Sequence, residues 1–387
     1  LYGTFTDFLG FKPDNDEWKT MALASFSKSR NLYDKKMNSI YKLTKDGFEL
    51  DLSFFDYYLF DRQPHFYNKK LTSLFGKPRN KNEKITDKHH QVAGALQRAF
   101  TNIVFHLLKI TKQKGGKSNN IVIAGGAAMN CVFNGLLENN NTYKNNFIPP
   151  WPDDLGVSIG AAYLENHNLG KKSKNECQVY LGPGYSDSDI LSLLKKFNLT
   201  FFKPDNISKY IAERISKGHL IGWFQDRMEF THRALGNRSI LADPRKIEMQ
   251  LKVNSAVKYR ETFRPFAPAV LEEHASKIFM IKKKIKVPFM EKAVFVRNSW
   301  KKKIAAVVHV DGTARVQTVN KKSNLSFYNL INEFYKITNV PVLLNTSFNL
   351  NGEPIVMTPS DAIRTFHTCG LDTLVLQDYV ILKKTNK

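Results

Sequence analysis

With 387 residues, 42% hydrophobic and 12% aromatic, the chain is too apolar for an intrinsically disordered protein and long enough for two domains with cores of their own. No apolar run approaches the roughly 18–20 residues that cross a bilayer, and Cys131, Cys177 and Cys369 are too scattered for a disulfide framework or a CxxC zinc pattern. The formal charge of +23 favours anionic partners, although much of it lies in lysine runs of surface type, Lys282-Lys283-Lys284 and Lys301-Lys302-Lys303. Thiols that read as reduced, with no signal peptide recognised, make the cytoplasm the expected location.

The opening, LYGTFTDFLGF, starts on Leu1 and reads as mid-domain, so a fragment or one part of a split polypeptide is expected. Residues 1–60 mix short aromatic segments with turns, and 61–85 form a polar, basic connection. The spacing predicts a helix from Thr86 to Lys112, capped by Thr86 or Asp87, with Val92, Ala95, Leu96, Ala99, Ile103, Phe105 and Leu107 on its apolar face. GGKSNN is a helix-to-strand turn. It is not a phosphate-binding P-loop, because Thr111 stands where that motif needs glycine and the strand and helix come in the wrong order. IVIA reads as a short buried strand, followed by Gly125-Gly126 and a helix opening near Met129-Asn130. A glycine pair at a strand end either lets backbone approach a nucleotide or makes a tight turn. In WPDDLGVSIGAAYLENH the acidic pair Asp153-Asp154 precedes a glycine-led helix, as a cap or as a metal ligand.

A boundary is expected in NLGKKSKNE, giving domains 1–175 and 176–387. The second domain reads as a capped helix in YSDSDILSLLKKF, a strand in HLIGWF and the arginine-rich stretch EFTHRALGNRSILADPR. Next come VKYRETFRPFAP, then a strand, a turn at Asp311-Gly312 and a strand in IAAVVHVDGTARVQTV. A helix over 325–337, strand–loop–strand in VPVLLNTSFNLNGEPIV, a helix capped by Thr358 or Ser360, and a last strand DTLVLQDYVILKK complete it.

Four polar clusters stand between these strands: Arg233, Asn237, Arg238 and Ser239; Lys258, Arg260, Glu261 and Arg264; Thr313, Arg315 and Gln317; and Asn345, Ser347 and Asn349. Alternation puts Thr313, Arg315 and Gln317 on one strand face. Any one cluster alone reads rather as internal salt bridges and turn caps, but four together, converging Arg, Lys, Ser and Asn, suit a phosphate-bearing ligand with amide or hydroxyl groups. No Ser/His/Asp order and no HExxH is present, and the histidines include no metal-binding pair four apart.

GGAAMNCVFNGLL, DLGVSIGAA, EFTHRALGNRSILADPR, VKYRETFRPFAPAVLEE, HVDGTARVQTV and VPVLLNTSFNLNGEPIVMTPSDAIRTF closely resemble, in this order, the NodU/CmcH/TobZ-type O-carbamoyltransferases. The likeness covers nearly the whole chain. It implies an α/β protein: the C-terminal part of an actin-like ATPase (ASKHA) domain followed by a YrdC-like α/β domain. The implied reaction makes carbamoyl-adenylate from carbamoyl phosphate and ATP with Mg2+, then moves the carbamoyl group to an acceptor hydroxyl, commonly of a sugar or secondary metabolite. On this resemblance Lys258, Arg260, Arg264 and Arg315 are the catalytic anion clamp, and Arg233, Asn237, Arg238, Ser239, Thr313, Asn345 and Ser347 bind substrate. Gly125, Gly126 and Asn130 touch nucleotide, and Asp154 is a ligand of divalent iron.

The family's HxxxH pair, which supplies further metal ligands, is expected upstream of Leu1, in a missing segment or partner subunit. Thr231-His232 replace the usual Gly-Pro, and Ala22 replaces a glycine. A nucleic-acid-binding protein or a non-catalytic partner subunit, related to tRNA-threonylcarbamoylation proteins, is the alternative. The charge favours nucleic acid, but no basic stripe with interleaved stacking aromatics accompanies it.

Overall fold

The computed structural model describes residues 1–383 except 28, 63, 116, 172–176, 262 and 283–284. The expected change-over at 175/176, one residue of the GGKSNN turn and part of the 282–284 lysine run lie outside the described residues. The chain forms two compact units, residues 1–122 with 136–147 and 309–311, and residues 123–135 with 148–308 and 312–387. Residues 148–171 thus group with the second unit, where Trp151, Leu155 and Ile159 pack with Val179, Leu235 and Met290.

In the first unit, helices α1 (Tyr2–Phe8), α2 (Glu17–Ala24), α3 (Leu32–Asn38) and α4 (Lys69–Phe75) and the hairpin β1 (Tyr41–Thr44)–β2 (Gly47–Leu50) accompany the long α5 (Asp87–Lys114). The predicted helix is present, with Thr86 as its N-cap, and Thr86 N donates to His89 Nδ1 at 2.9 Å. Its buried face is Val92, Ala95, Leu96, Ala99, Ile103, Leu108 and Ile110, while Phe105 and Leu107 are half-buried. Asp34 on α3 accepts two bonds from Arg98 on α5, at 2.6 and 2.9 Å, and so ties the two helices together. The IVIA strand is shorter and less buried than expected. β3 (Asn120–Val122) pairs in parallel with β4 (Asn145–Phe147) alone, and a two-stranded sheet leaves both faces open, so Val122 is 66% exposed.

In the second unit come α6 (Cys131–Leu136), α7 (Val157–Asn168), α8 (Asp187–Lys196), α9 (Ile207–Ser216), β5 (Ile221–Phe224), β6 (Arg238–Ala242), α10 (Glu248–Val253), β7 (Ala267–Leu271), α11 (Ala275–Ile278) and β8 (Ala293–Phe295). They are followed by α12 (Asn298–Lys301), β9 (Thr313–Arg315), β10 (Gln317–Val319), α13 (Leu325–Thr338), β11 (Val342–Ser347), α14 (Pro359–Thr368), β12 (Thr373–Leu376) and β13 (Tyr379–Leu382). A seven-stranded mixed sheet runs β10-β7-β11-β6-β5-β12-β13, parallel at β10/β7 and β12/β5 and antiparallel elsewhere. β5, β6, β7 and β12 are buried along their whole length, as strands covered on both faces must be. α13 packs on α9 and buries Phe327, Leu330, Ile331 and Phe334, residues three and four apart on one helical face.

Several expectations are corrected here. RSILA and APAVL form two interior strands of the large sheet. Residues 305–307 form a 3₁₀ turn instead of a strand. TARVQTV breaks at Val316: β9 pairs with β8 in a separate two-stranded sheet, while β10 joins the large one. DTLVLQDYVILKK is a hairpin that turns at Gln377-Asp378, with Gln377 at φ +52°.

Candidate functional site

The β5–β6 connection is built around one buried carboxylate. Glu229 Oε1 accepts from the backbone N–H of Leu235 at 2.7 Å, Asn237 at 2.7 Å and Arg238 at 3.3 Å. Burial pushes the Glu229 carboxyl up from the usual carboxylate range, against these bonds. Asn237 donates to Arg227 O at 2.8 Å and accepts from Asn324 Nδ2 at 2.8 Å, and Ser239 Oγ accepts from Gly236 N at 3.1 Å. Arg238 has no exposed surface. It donates to the carbonyls of Gln225, Asn237, Pro183 and Asp226 and lies 3.5 Å over the Phe224 ring. Asn237, Arg238 and Ser239, expected to meet substrate, are therefore buried in the frame of the loop. What the loop presents is Arg233, half-buried, and His232, whose Nε2 lies 2.8 Å from Asp153 Oδ2.

Arg233 faces a group of cations drawn from distant parts of the chain. The Arg315 guanidinium, together with burial, pushes Arg233 down to about 9. Burial, then Arg264 and Arg315, push Arg260 down to about 9, and burial also lowers Arg315. Burial, then Arg260 and Arg264, bring Lys258 well below the usual ammonium range. The loop before β6, the turn after α10 and strand β9 thus deliver Arg233, Lys258, Arg260, Arg264 and Arg315 to one electrostatic neighbourhood. Glu261 Oε2 pairs with Arg264 Nη1 at 3.3 Å. Buried like charges raise the free energy of the fold unless an anion neutralises them.

The supports differ for each cation. Lys258 is 4% exposed, and its Nζ contacts Ser347 O, Ser347 Oγ, Asn349 O and Asn349 Oδ1 at 2.6–3.2 Å. It therefore pins the loop after β11. Arg260 donates to Asn254 Oδ1 at 3.2 Å and Pro265 O at 3.3 Å and lies over Phe266 at 4.5 Å. Arg315 Nε is buried without a hydrogen-bond partner among the described residues.

Asn345 is 1% exposed, donates to Gln317 Oε1 at 2.9 Å and Ala234 O at 3.2 Å, and leaves its Oδ1 buried without a partner among the described residues. Ser347 donates to Asn349 Oδ1 at 2.7 Å. Thr313 and Arg315 share β9, but Gln317 lies beyond the break, in the large sheet, where it donates to Leu235 O at 2.7 Å. The Cys131 thiol is an unanticipated neighbour, acting electrostatically on both Arg233 and Arg315. Nothing in its sequence context, GAAMNCVF, pointed to arginines a hundred and more residues away.

Gly125 has φ +95° and Gly126 is exposed, with open space where a Cβ would stand, so backbone is accessible there. Asn130, buried, accepts from Phe133 N at 2.9 Å and so caps α6. Asp154 is exposed in the turn before α7. No three His, Cys, Asp or Glu side chains among the described residues come together as metal ligands. Asp154 is thus not joined by two further side chains of these types among the described residues.

The profile of the carbamoyltransferase N-terminus matches residues 1–163, and that of the carbamoyltransferase C-terminus matches 212–383. An uncharacterised Synechocystis protein is 35% identical over 99% of this chain and 66% of its own length. Nodulation protein NolO of Bradyrhizobium diazoefficiens is 42% identical over 79% of this chain and 57% of its own. An uncharacterised protein of Methanocaldococcus jannaschii is 32% identical over 99% of this chain and 72% of its own. The chain thus spans between about half and three quarters of the length of these relatives.

Proposed function

Because the chain belongs to the NodU/CmcH/TobZ-type carbamoyltransferase family, we propose that its second unit binds ATP, with Mg2+, and carbamoyl phosphate and forms carbamoyl-adenylate for transfer to an acceptor hydroxyl. We take the seven-stranded sheet and its helices as the YrdC-like, adenylating part and the segment around Gly125 as belonging to an actin-like part. The observation that carries this is the gathering of Arg233, Lys258, Arg260, Arg264 and Arg315 in one electrostatic neighbourhood, with Arg315 Nε buried and without a hydrogen-bond partner among the described residues.

The cluster's chemistry follows from its charge. Two phosphate-bearing substrates repel each other, and guanidinium groups placed between them offset that repulsion and orient both. Water releases phosphate from carbamoyl phosphate, and a carbamoyl oxygen replaces pyrophosphate at the α-phosphorus of ATP. The acceptor oxygen then attacks the carbamoyl carbon, AMP leaves, and the hydroxyl proton is lost to solvent. Charge that develops on the departing pyrophosphate meets preorganised donors in a partly buried site, where they act more strongly than in water. Lys258 holds Ser347 and Asn349 in place at the edge of this site. In the same reading, backbone at Gly125 and Gly126 approaches a nucleotide, and Asp154 gives iron one carboxylate, with the remaining ligands from another segment or subunit. A sugar or secondary-metabolite hydroxyl is the proposed acceptor.

Pyrophosphate release from ATP, followed with and without carbamoyl phosphate and with no acceptor, tests this. Release is expected only with carbamoyl phosphate, and Arg264→Ala is expected to lower it at least about 100-fold, the scale for removing one charge-stabilising donor. Release that ignores carbamoyl phosphate, or no release even when the chain is extended to the full length of its relatives, would sink the proposal.

A further inference from the structure

Between Lys258 and Arg260 stands a residue that anion binding does not use. α10 runs into one turn of π-helix, Asn254–Lys258, and the next residue, Tyr259, has left-handed backbone at φ +43°. π-turns gather at functional sites, and a bulky side chain on left-handed backbone persists only where its surroundings hold it. Here the hold is visible: Tyr259 N donates to Asn254 O at 2.7 Å, and Asn351 Nδ2 donates to Tyr259 O at 3.4 Å.

The consequence is an outward-facing ring. Tyr259 is 64% exposed although Lys258 before it is buried and Arg260 after it belongs to the cation cluster. Phe266 in the same segment is already covered by the Arg260 guanidinium, and Phe263 is half-buried. No aromatic ring or cation stacks on Tyr259 among the described residues.

We propose that Tyr259 is the platform on which the planar base of the bound nucleotide stacks while the neighbouring arginines hold its phosphates. This rests on the ATP-dependent reading given above. Every base has a π-face, so stacking adds affinity for the base that phosphate contacts cannot supply, and an exposed tyrosine is a suitable partner.

The test is calorimetric titration of the whole chain with ATP and, separately, with inorganic tripolyphosphate, for the wild type, Tyr259→Phe and Tyr259→Asn. Asparagine tolerates left-handed backbone, so the second variant removes the ring without opposing the turn. Tyr259→Asn is expected to weaken ATP binding by about 5- to 150-fold and to leave tripolyphosphate unchanged, with Tyr259→Phe matching the wild type for both. Unchanged ATP affinity in Tyr259→Asn overturns the inference alone. An equal loss of both ligands also overturns it and makes Tyr259 a prop for the arginines. Wild-type protein that binds neither ligand overturns the ATP-dependent reading and this inference with it.

Discussion

Arg233 and Arg238 lie five positions apart in one arginine-rich stretch, yet they do opposite things. Arg238 opens β6, where its guanidinium meets backbone carbonyls and the Phe224 face and reaches no solvent. Arg233 lies in the loop and faces Arg315, a fellow cation. The density of arginine was legible in the sequence as a sign of an anion. Which arginine is free to meet it depends on which side of the loop each faces, and that is decided by Glu229 and the backbone N–H groups it gathers. Gly236 belongs to the same loop. Its φ is +110°, and a Cβ there would overlap the buried Phe327 ring. Gly236→Ala is therefore expected to cost about 3 kcal/mol, from overpacking combined with strained backbone, and to lower the melting temperature in a thermal scan. A wild-type melting curve would show that the loop yields there.

At the scale of elements, caps and periodicity were readable and pairing was not. α5, α8, α13 and α14 stand where spacing and cap residues put them, with Ser186, Asn324 and Thr358 accepting first-turn N–H bonds. These signals are local, three or four residues apart. The breaks that matter for the site are non-local: TARVQTV divides between two sheets because β8 and β7 compete for it, and no pattern within seven residues encodes that. One pair of helices also carries a pH dependence. Burial alone would raise the Asp34 carboxyl, but the Arg98 bonds and the Asn31 N–H bring it below the usual carboxylate range. A depressed folded-state value means the unfolded chain binds the proton more tightly. The stabilisation is therefore present above the unfolded value near 3.9 and is lost as the pH falls through the folded one. Asp34→Asn is expected to cost about 1 kcal/mol at neutral pH and to flatten the acid limb of melting temperature against pH below about 4. An acid limb identical to the wild type would remove Asp34 from that account.

For the whole molecule, the charge of +23 and the buried cations are separate matters. Surface lysines raise encounter rates with anions of any kind and are screened by salt, whereas a half-buried arginine cluster is screened less and binds in one place. An anion that occupies the cluster binds the folded state alone. Tripolyphosphate at about 100 times its dissociation constant is expected to stabilise the chain by about 2.7 kcal/mol. The thermal shift should vanish in Arg315→Ala and persist when the lysines at 301–303 are neutralised. A shift that follows those lysines instead would make the binding a surface effect.

By itself the sequence determined the family, the helices α5, α8, α13 and α14 and the local density of arginine, because these are carried by motifs and by residues a few positions apart. Only the tertiary structure decided that Arg233, Lys258, Arg260, Arg264 and Arg315 share one electrostatic neighbourhood and that Asn237, Arg238 and Ser239 are buried. Each of these depends on which strands pair and which turns face inward. A residue's charge is written in the chain, but its neighbours and its dielectric surroundings come from contacts between segments far apart in sequence.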